Sequence, residues 1–212
     1  MARSMSGAGS ADLPKPMTEE QIRRKAVGLT QKQLSGKVVL VDYDPAWPRL
    51  FVRESERISS IIGRDALAIE HVGSTSVPGL AAKPIIDILL VVTNSADESS
   101  YVPALEKAGY VLGIREPEWH EHRMFKGPDT NINLHVFSQG DDEIERMLVF
   151  RDWLRGNSND RDFYLVTKRE LAQQSWEYVQ NYADAKSKVV ESIIARARRP
   201  RDGIRPKSRP SD

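Results

Sequence analysis

The chain has 212 residues and no cysteine. This excludes disulfides, a thiolate nucleophile and Cys-ligated zinc or iron–sulfur centres. No apolar run approaches the roughly 18 residues that a membrane-spanning helix needs. The first residues also lack the apolar core, about 7–15 residues long, of a secretory signal. Cytoplasmic placement is therefore the expectation. A strong charge excess is missing too: 31 basic and 30 acidic residues leave a net +1. Seven of the basic and two of the acidic residues lie between Arg196 and Asp212. The remaining 24 basic and 28 acidic residues carry about −4, which argues against a nucleic-acid platform.

What is present is ordinary for a globular chain: 40% hydrophobic and 29% charged residues, enough for one domain with tails. Residues 1–17 are small and polar and are expected to be disordered. Thr18 with Gln21 forms a capping box for a short helix to about Val27, and 28–36 reads as a linker. A compact domain is expected over 37–198, with a basic disordered tail over 199–212. No internal repeat is visible.

Within the domain, Val38–Val41 reads as a strand. Asp44-Pro45 reads as a helix start whose apolar positions recur to Gly63. Strands are expected near 66–72, 85–92, 110–114, 118–125 and 132–137, with a helix around Tyr101–Ala108 and a turn at Lys126–Asp129. From Asp141 the pattern is helical: one helix through Leu154, a second over 160–173 and a third over 175–198. Strands first and helices last predict an α/β (α+β) mixed sheet with a C-terminal helical cap.

Two positions stand out against this pattern. Between two apolar runs lies the small turn Gly73-Ser74-Thr75-Ser76-Val77-Pro78-Gly79, followed by Lys83 and then Asp87. Turns of this composition leave backbone N–H groups and hydroxyls free to face an anion, although they also make ordinary tight turns. Asp87 lies inside a run, Ile85–Val92, that is apolar on both faces, and a charge there needs a partner. It is either a buried Asp satisfied by backbone N–H groups or Lys83, or a metal ligand or catalytic base.

All four histidines, at 71, 120, 122 and 135, fall in the strand region. His135 shares a strand face with Asn133 and Phe137, opposite Ile132, Leu134 and Val136. His120 and His122, two apart, would point the same way on a strand. Asp87 with His71 and His135 is thus a candidate metal cluster, its N/O donors suiting Zn, Mn or Fe better than Mg. The helices add two pairs at a spacing of four, Tyr164/Lys168 and Tyr182/Lys186, and Arg151 in Phe150-Arg151-Asp152-Trp153. Alone, these read as solvated faces with Lys stems over aromatics; aimed into a cleft, they would hold phosphates and pack a base.

His71-Val72-Gly73-Ser74-Thr75-Ser76-Val77-Pro78-Gly79-Leu80 followed by Lys83-Pro84-Ile85-Ile86-Asp87 strongly resembles the signature of the GrpB-like family. Leu134-His135-Val136, Phe150–Arg155 and the two Tyr/Lys pairs extend the likeness over about 37–198. The resemblance implies a fold similar to the polymerase-beta-like nucleotidyltransferases. It also implies kinship with domains fused to dephospho-CoA kinases, without a settled activity.

In that superfamily a Gly-Ser turn holds the triphosphate. An Asp-x-Asp strand and a third acid clamp two Mg²⁺ about 3.5–4 Å apart. Gly73-Ser74 and Asp87 match this arrangement. Leu89 stands in place of the second acid, and His135 near the place of the third.

The leading expectation is phosphoryl or nucleotidyl transfer to a small molecule, with a nucleoside triphosphate and a divalent metal (Mg, Mn or Zn) as cofactors. Gly73, Ser74, Thr75 and Ser76 would hold phosphates, and Asp87 and His135 the metal. Lys83, Arg151, Lys168 and Lys186 would neutralise the leaving phosphate, with Tyr164 and Tyr182 beside them. One alternative is a non-catalytic module for a nucleotide or a CoA-like anion. Another is a His/Asp transition-metal enzyme.

Overall fold

A computed structural model describes residues 17–29 and 38–199. Apart from Met17 and Arg199, the expected tails lie outside the described residues, as does most of the expected linker. Five strands form one sheet: β1 Ala68–Val72, β2 Ile86–Val92, β3 Val111–Glu116, β4 His122–Lys126 and β5 Ile132–Ser138, in the order β1-β2-β5-β4-β3. β2 and β5 pair in parallel at the centre, and every other pair is antiparallel.

The central position of β2 explains its sequence, because it must bury both faces. Ile86, Ile88, Leu90 and Val92 meet Leu134 and Val136 under helices α2 (Trp47–Ile62) and α3 (Val102–Lys107). Leu89 and Val91 meet Val72, Phe137, Met147 and Leu148 under α4 (Asp142–Gly156). Each fully buried aliphatic side chain here contributes about 1.5–3 kcal/mol. A third cluster joins Val77, Leu80, Leu154, Tyr164 and Ile193. It seats the Ser-rich turn against α4, α5 (Ser158–Ala172) and α7 (Ser187–Ala197).

Four local expectations are corrected. Val38–Val41 is not a strand; it makes a single bridge, Val41 to Ala82. α2 begins at Trp47, because Asp44 accepts from the Ala46 N–H at 2.8 Å and Pro48 occupies the first turn. β4 begins only at His122, after a turn in which His120 and Glu121 take left-handed φ of 55° and 46°. His120 and His122 therefore do not share a strand face.

The expected single helix over 175–198 is two, α6 Val179–Ala185 and α7, meeting at Lys186. The Trp176 indole donates to the Leu171 carbonyl at 2.7 Å, holding residues 174–178 as a bend that closes α5.

The capping box of Thr18 and Gln21 is formed and opens α1, Glu19–Lys25. Beyond α1 the chain joins the sheet edge: Val27 N–H bonds Gly113 O at 3.0 Å and Ala26 bridges Ile114. None of the described helices is long and apolar enough to cross a membrane.

Candidate functional site

The turn after β1 and the face of the sheet carrying Asp87 border a cleft of about 560 Å³, roofed by α1, α6 and the start of α7. Gly73 makes the approach of turn and strand possible. Its φ is +66°, and a Cβ there would lie 2.3 Å from Asp87 Oδ2. Most of the turn's polar groups are used within the turn. Ser76 Oγ donates to Gly73 O at 2.6 Å, and Thr75 Oγ1 donates to Ile85 O at 3.3 Å. Ser76 and Val77 N–H bond back to Gly73 and Ser74. Gly73, Ser74 and Thr75 line the cleft, whereas Ser76 lies behind it.

Asp87 Oδ1 accepts from Asn133 Nδ2 at 2.7 Å, and Asn133 Oδ1 accepts from Lys126 Nζ at 2.5 Å. His135 Nε2 lies 3.7 Å from the same carboxylate oxygen. Burial pushes the Asp87 carboxyl up, but His135, Asn133 and Lys83 together hold it below the usual carboxylate range.

Four lysines surround this one acid. Lys83, Lys126, Lys168 and Lys186 all line the cleft. Among the described residues, none of them has a carboxylate within 4.0 Å. Lys168 is 2% exposed and donates to Ala81 O at 2.5 Å, 5.2 Å from the centre of the Tyr164 ring. Lys186 lies 4.5 Å from the Tyr182 ring centre. Burial lowers all four, Lys168 to about 7 and Lys186 to about 8. Lys168, Tyr182 and Lys186 thus line a cleft, while Tyr164 is buried in the third apolar cluster; neither pair is a solvated helix face. The Tyr182 hydroxyl is buried and has no hydrogen-bond partner among the described residues.

The expected grouping of Asp87, His71 and His135 is not formed. β1 and β2 pair with Val72 opposite Asp87 and His71 opposite Ile88. Opposed residues point to the same side, so His71 lies on the other face of the sheet. There it stacks on Phe51, with ring centroids 4.8 Å apart, and bonds Thr75 Oγ1 at 3.1 Å. Burial pushes it down to about 4, so it is neutral.

Arg151 is also elsewhere. It bonds Glu70 at 2.7 Å, Asp152 at 2.7 Å and His71 O at 3.1 Å, fastening α4 to β1. Leu89 is fully buried under α4, so no second acid could stand there without unpaired burial. One carboxylate among four lysines does not fit a pair of divalent ions. Among the described residues, the group that brings three His or acid donors together is His120 with Asp141 and Asp142, outside the cleft.

Sequence reasoning missed three groups of cleft residues. The sequence pattern puts Lys126 in a turn and Asn133 on the strand face of His135, with no role for either. Strand alternation could have promoted Asn133, whereas Lys126 depended on where β4 ended. The third group is a relay behind His135. His122 Nε2 lies 3.0 Å from His135 Nδ1, Glu116 Oε2 lies 2.6 Å from His122 Nδ1, and Lys25 Nζ bonds Glu116 Oε1 at 2.6 Å.

The profile of the family described as "GrpB protein" matches residues 37–196. A UPF0157 protein of Halalkalibacterium halodurans is 63% identical over 182 residues, covering 86% of this chain and 93% of that protein. A protein named dephospho-CoA kinase, of Mycolicibacterium paratuberculosis, is 30% identical over 183 residues, 74% of this chain and 45% of that protein. The crystal structure of conserved protein GrpB from Enterococcus faecalis is similar with a TM-score of 0.67 and 33% identity. It covers 75% of this chain and 96% of that one.

Proposed function

Because the chain belongs to the GrpB family and its cleft sets four lysines around a single acid, we propose that it binds a phosphorylated small molecule of nucleotide size. The observation that carries this reading is the charge imbalance. Of the acids lining the cleft, Glu116 is paired with Lys25 and Glu143 with Arg146, which leaves Asp87 to face Lys83, Lys126, Lys168 and Lys186, and burial already depresses all four. A di- or trianionic ligand would restore that balance, because charge-assisted bonds to phosphate are strong in a partly desolvated site. Ser74 and the orphaned Tyr182 hydroxyl supply further polar contacts.

The reaction class that suits these groups is phosphoryl or nucleotidyl transfer. The lysines would stabilise the charge on the leaving phosphate. In this reading His135 Nε2, 3.7 Å from Asp87 Oδ1, would take the proton of an attacking hydroxyl as its oxygen bonds phosphorus and the bond to the leaving phosphate breaks. The match spans 45% of the mycobacterial relative named dephospho-CoA kinase, which makes dephospho-CoA one ligand to test. A second reading, binding without turnover, is favoured by the buried Leu89 in place of a second acid.

Calorimetric titration of the full chain with ATP, CTP and dephospho-CoA tests the proposal, with and without Mg²⁺, Mn²⁺ or Zn²⁺. Binding of at least one ligand without metal, weakened tenfold or more in Lys168→Met or Lys186→Met, is the expected result. Failure of all three to bind refutes it. Turnover that survives in wild type but not in Asp87→Asn or His135→Gln selects transfer over simple binding.

A further inference from the structure

The cleft has two chemically different ends. The anion end is Asp87, Asn133, Lys83, Lys126, Lys168 of α5 and Lys186 at the junction of α6 and α7. The other end follows one row across the same face of the sheet. Met124 pairs with His135, Ile114 pairs with Met124, and Ala26 bridges Ile114. The row therefore leaves the anion end at His135 and runs over apolar side chains to the edge of β3. Residues 17–29 close it from above.

Ile22 is 5% exposed, and Met17, Ile22 and Leu29 line the cleft with Ile114 and Met124. This closing segment is held at both sides. Val27 N–H bonds Gly113 O on β3, while Met17 bonds Asp184 at 3.0 Å and Asn181 at 3.1 Å on α6. Leu29 lies close over Gly113, where a Cβ would come within 2.7 Å of Leu29 Cδ2. The charges at this end cancel, because Lys25 is paired with Glu116. The family profile begins at residue 37, so the apolar end is built partly by a segment outside the matched domain.

Resting on the anion site proposed above, we infer that the ligand is a phosphate ester with an apolar organic part, and that residues 17–29 set this preference. The phosphate sits among the lysines, and the apolar part lies along Met124 and Ile114 under Ile22 and Leu29. A cleft of about 560 Å³ is far larger than a phosphate and falls in the range of sites that enclose a whole small molecule.

The test is calorimetric titration of the full chain, at low ionic strength, with inorganic phosphate and then methyl, butyl and hexyl phosphate. Affinity is expected to rise about fourfold per methylene that enters the apolar end, the factor for burying one CH₂. Leu29→Ser, and separately Ile114→Ser, should flatten the rise while leaving the affinity for inorganic phosphate unchanged. A series that stays at the inorganic phosphate value, or a rise unaffected in both variants, overturns the inference and leaves the anion site standing. If no member of the series binds, the anion site and the inference fall together.

Discussion

Gly73→Ala puts the close packing of turn on strand to a quantitative test. Two costs add at this position. With φ at +66° and ψ at −172°, the backbone lies in a region essentially confined to glycine, and any side chain there costs about 1–3 kcal/mol. In addition, the new methyl would lie 2.3 Å from Asp87 Oδ2, 2.9 Å from its Cβ and 3.0 Å from its Cγ. Asp87 Cβ is one bond from the main chain of a central strand, so it cannot swing away. Asp87 would have to turn and give up the bond from Asn133, a charge-assisted contact of about 1.5–3 kcal/mol.

The sum is about 2.5–6 kcal/mol, or roughly a 10–15 °C fall in Tm for a domain of this size. Gly79→Ala is the matched control. Its φ is +78°, but nothing lies within 4 Å of the added Cβ, so only the backbone penalty remains. That is about 1–2 kcal/mol, or roughly 3–6 °C. Thermal melts of both variants, followed by circular dichroism, give the comparison. If the two melt within about 1 °C of each other, the contact between Gly73 and Asp87 is not as described and the reasoning about the site fails with it.

Other outcomes follow from the same geometry. Lys168 and Lys186 are depressed in the folded state to about 7 and about 8, so above these values the unfolded chain binds more protons than the native one. Stability should therefore rise with pH from about 7 towards the ordinary lysine value, and the slope should shrink when phosphate is bound. Phosphate binding at pH 8 should take up protons, measurable by calorimetry in buffers of different ionisation enthalpy; no uptake would contradict the buried lysine cluster. Leu89→Asp should not create a metal pair but unfold the protein or cost it about 3 kcal/mol or more, because Leu89 is fully buried among Val72, Val91 and Phe137. Urea denaturation reads this directly. Arg151→Ala should cost about 1 kcal/mol through loss of the Glu70 tie, given that Glu70 is half exposed, and leave phosphate affinity unchanged. A large loss of affinity would return Arg151 to the site.

Much of this arrangement was legible in local pattern. The apolar run Ile85–Val92 announced a central strand, and the single acid in it marked Asp87 as a site residue. Helical spacing paired Tyr164 with Lys168 and Tyr182 with Lys186. It could not say whether those faces met solvent or a cleft, because an amphipathic helix with long Lys stems looks the same in either place. His71 was misplaced for a different reason. Its proximity in sequence to the Ser-rich turn said nothing about the β1–β2 register, and a shift of one residue sends a side chain to the opposite face. His120 was misread because a left-handed turn at His120 and Glu121 interrupts what looked like continuous strand.

Local residue order was enough for most of the strands and helices, the turn, the isolated acid and the family likeness. These rest on short-range periodicity and on residue types with strong local preferences. Only the tertiary structure decided which charges meet. Lys83, Lys126, Lys168 and Lys186 come from four separate parts of the chain. They converge on Asp87 because strand order places β5 and β4 beside β2 and because the helical cap folds back over that face. Residues 17–29 were read as a short helix and the start of a linker. The fold makes them a wall of the cleft, because backbone bonds to the β3 edge seat their apolar side chains over Ile114 and Met124.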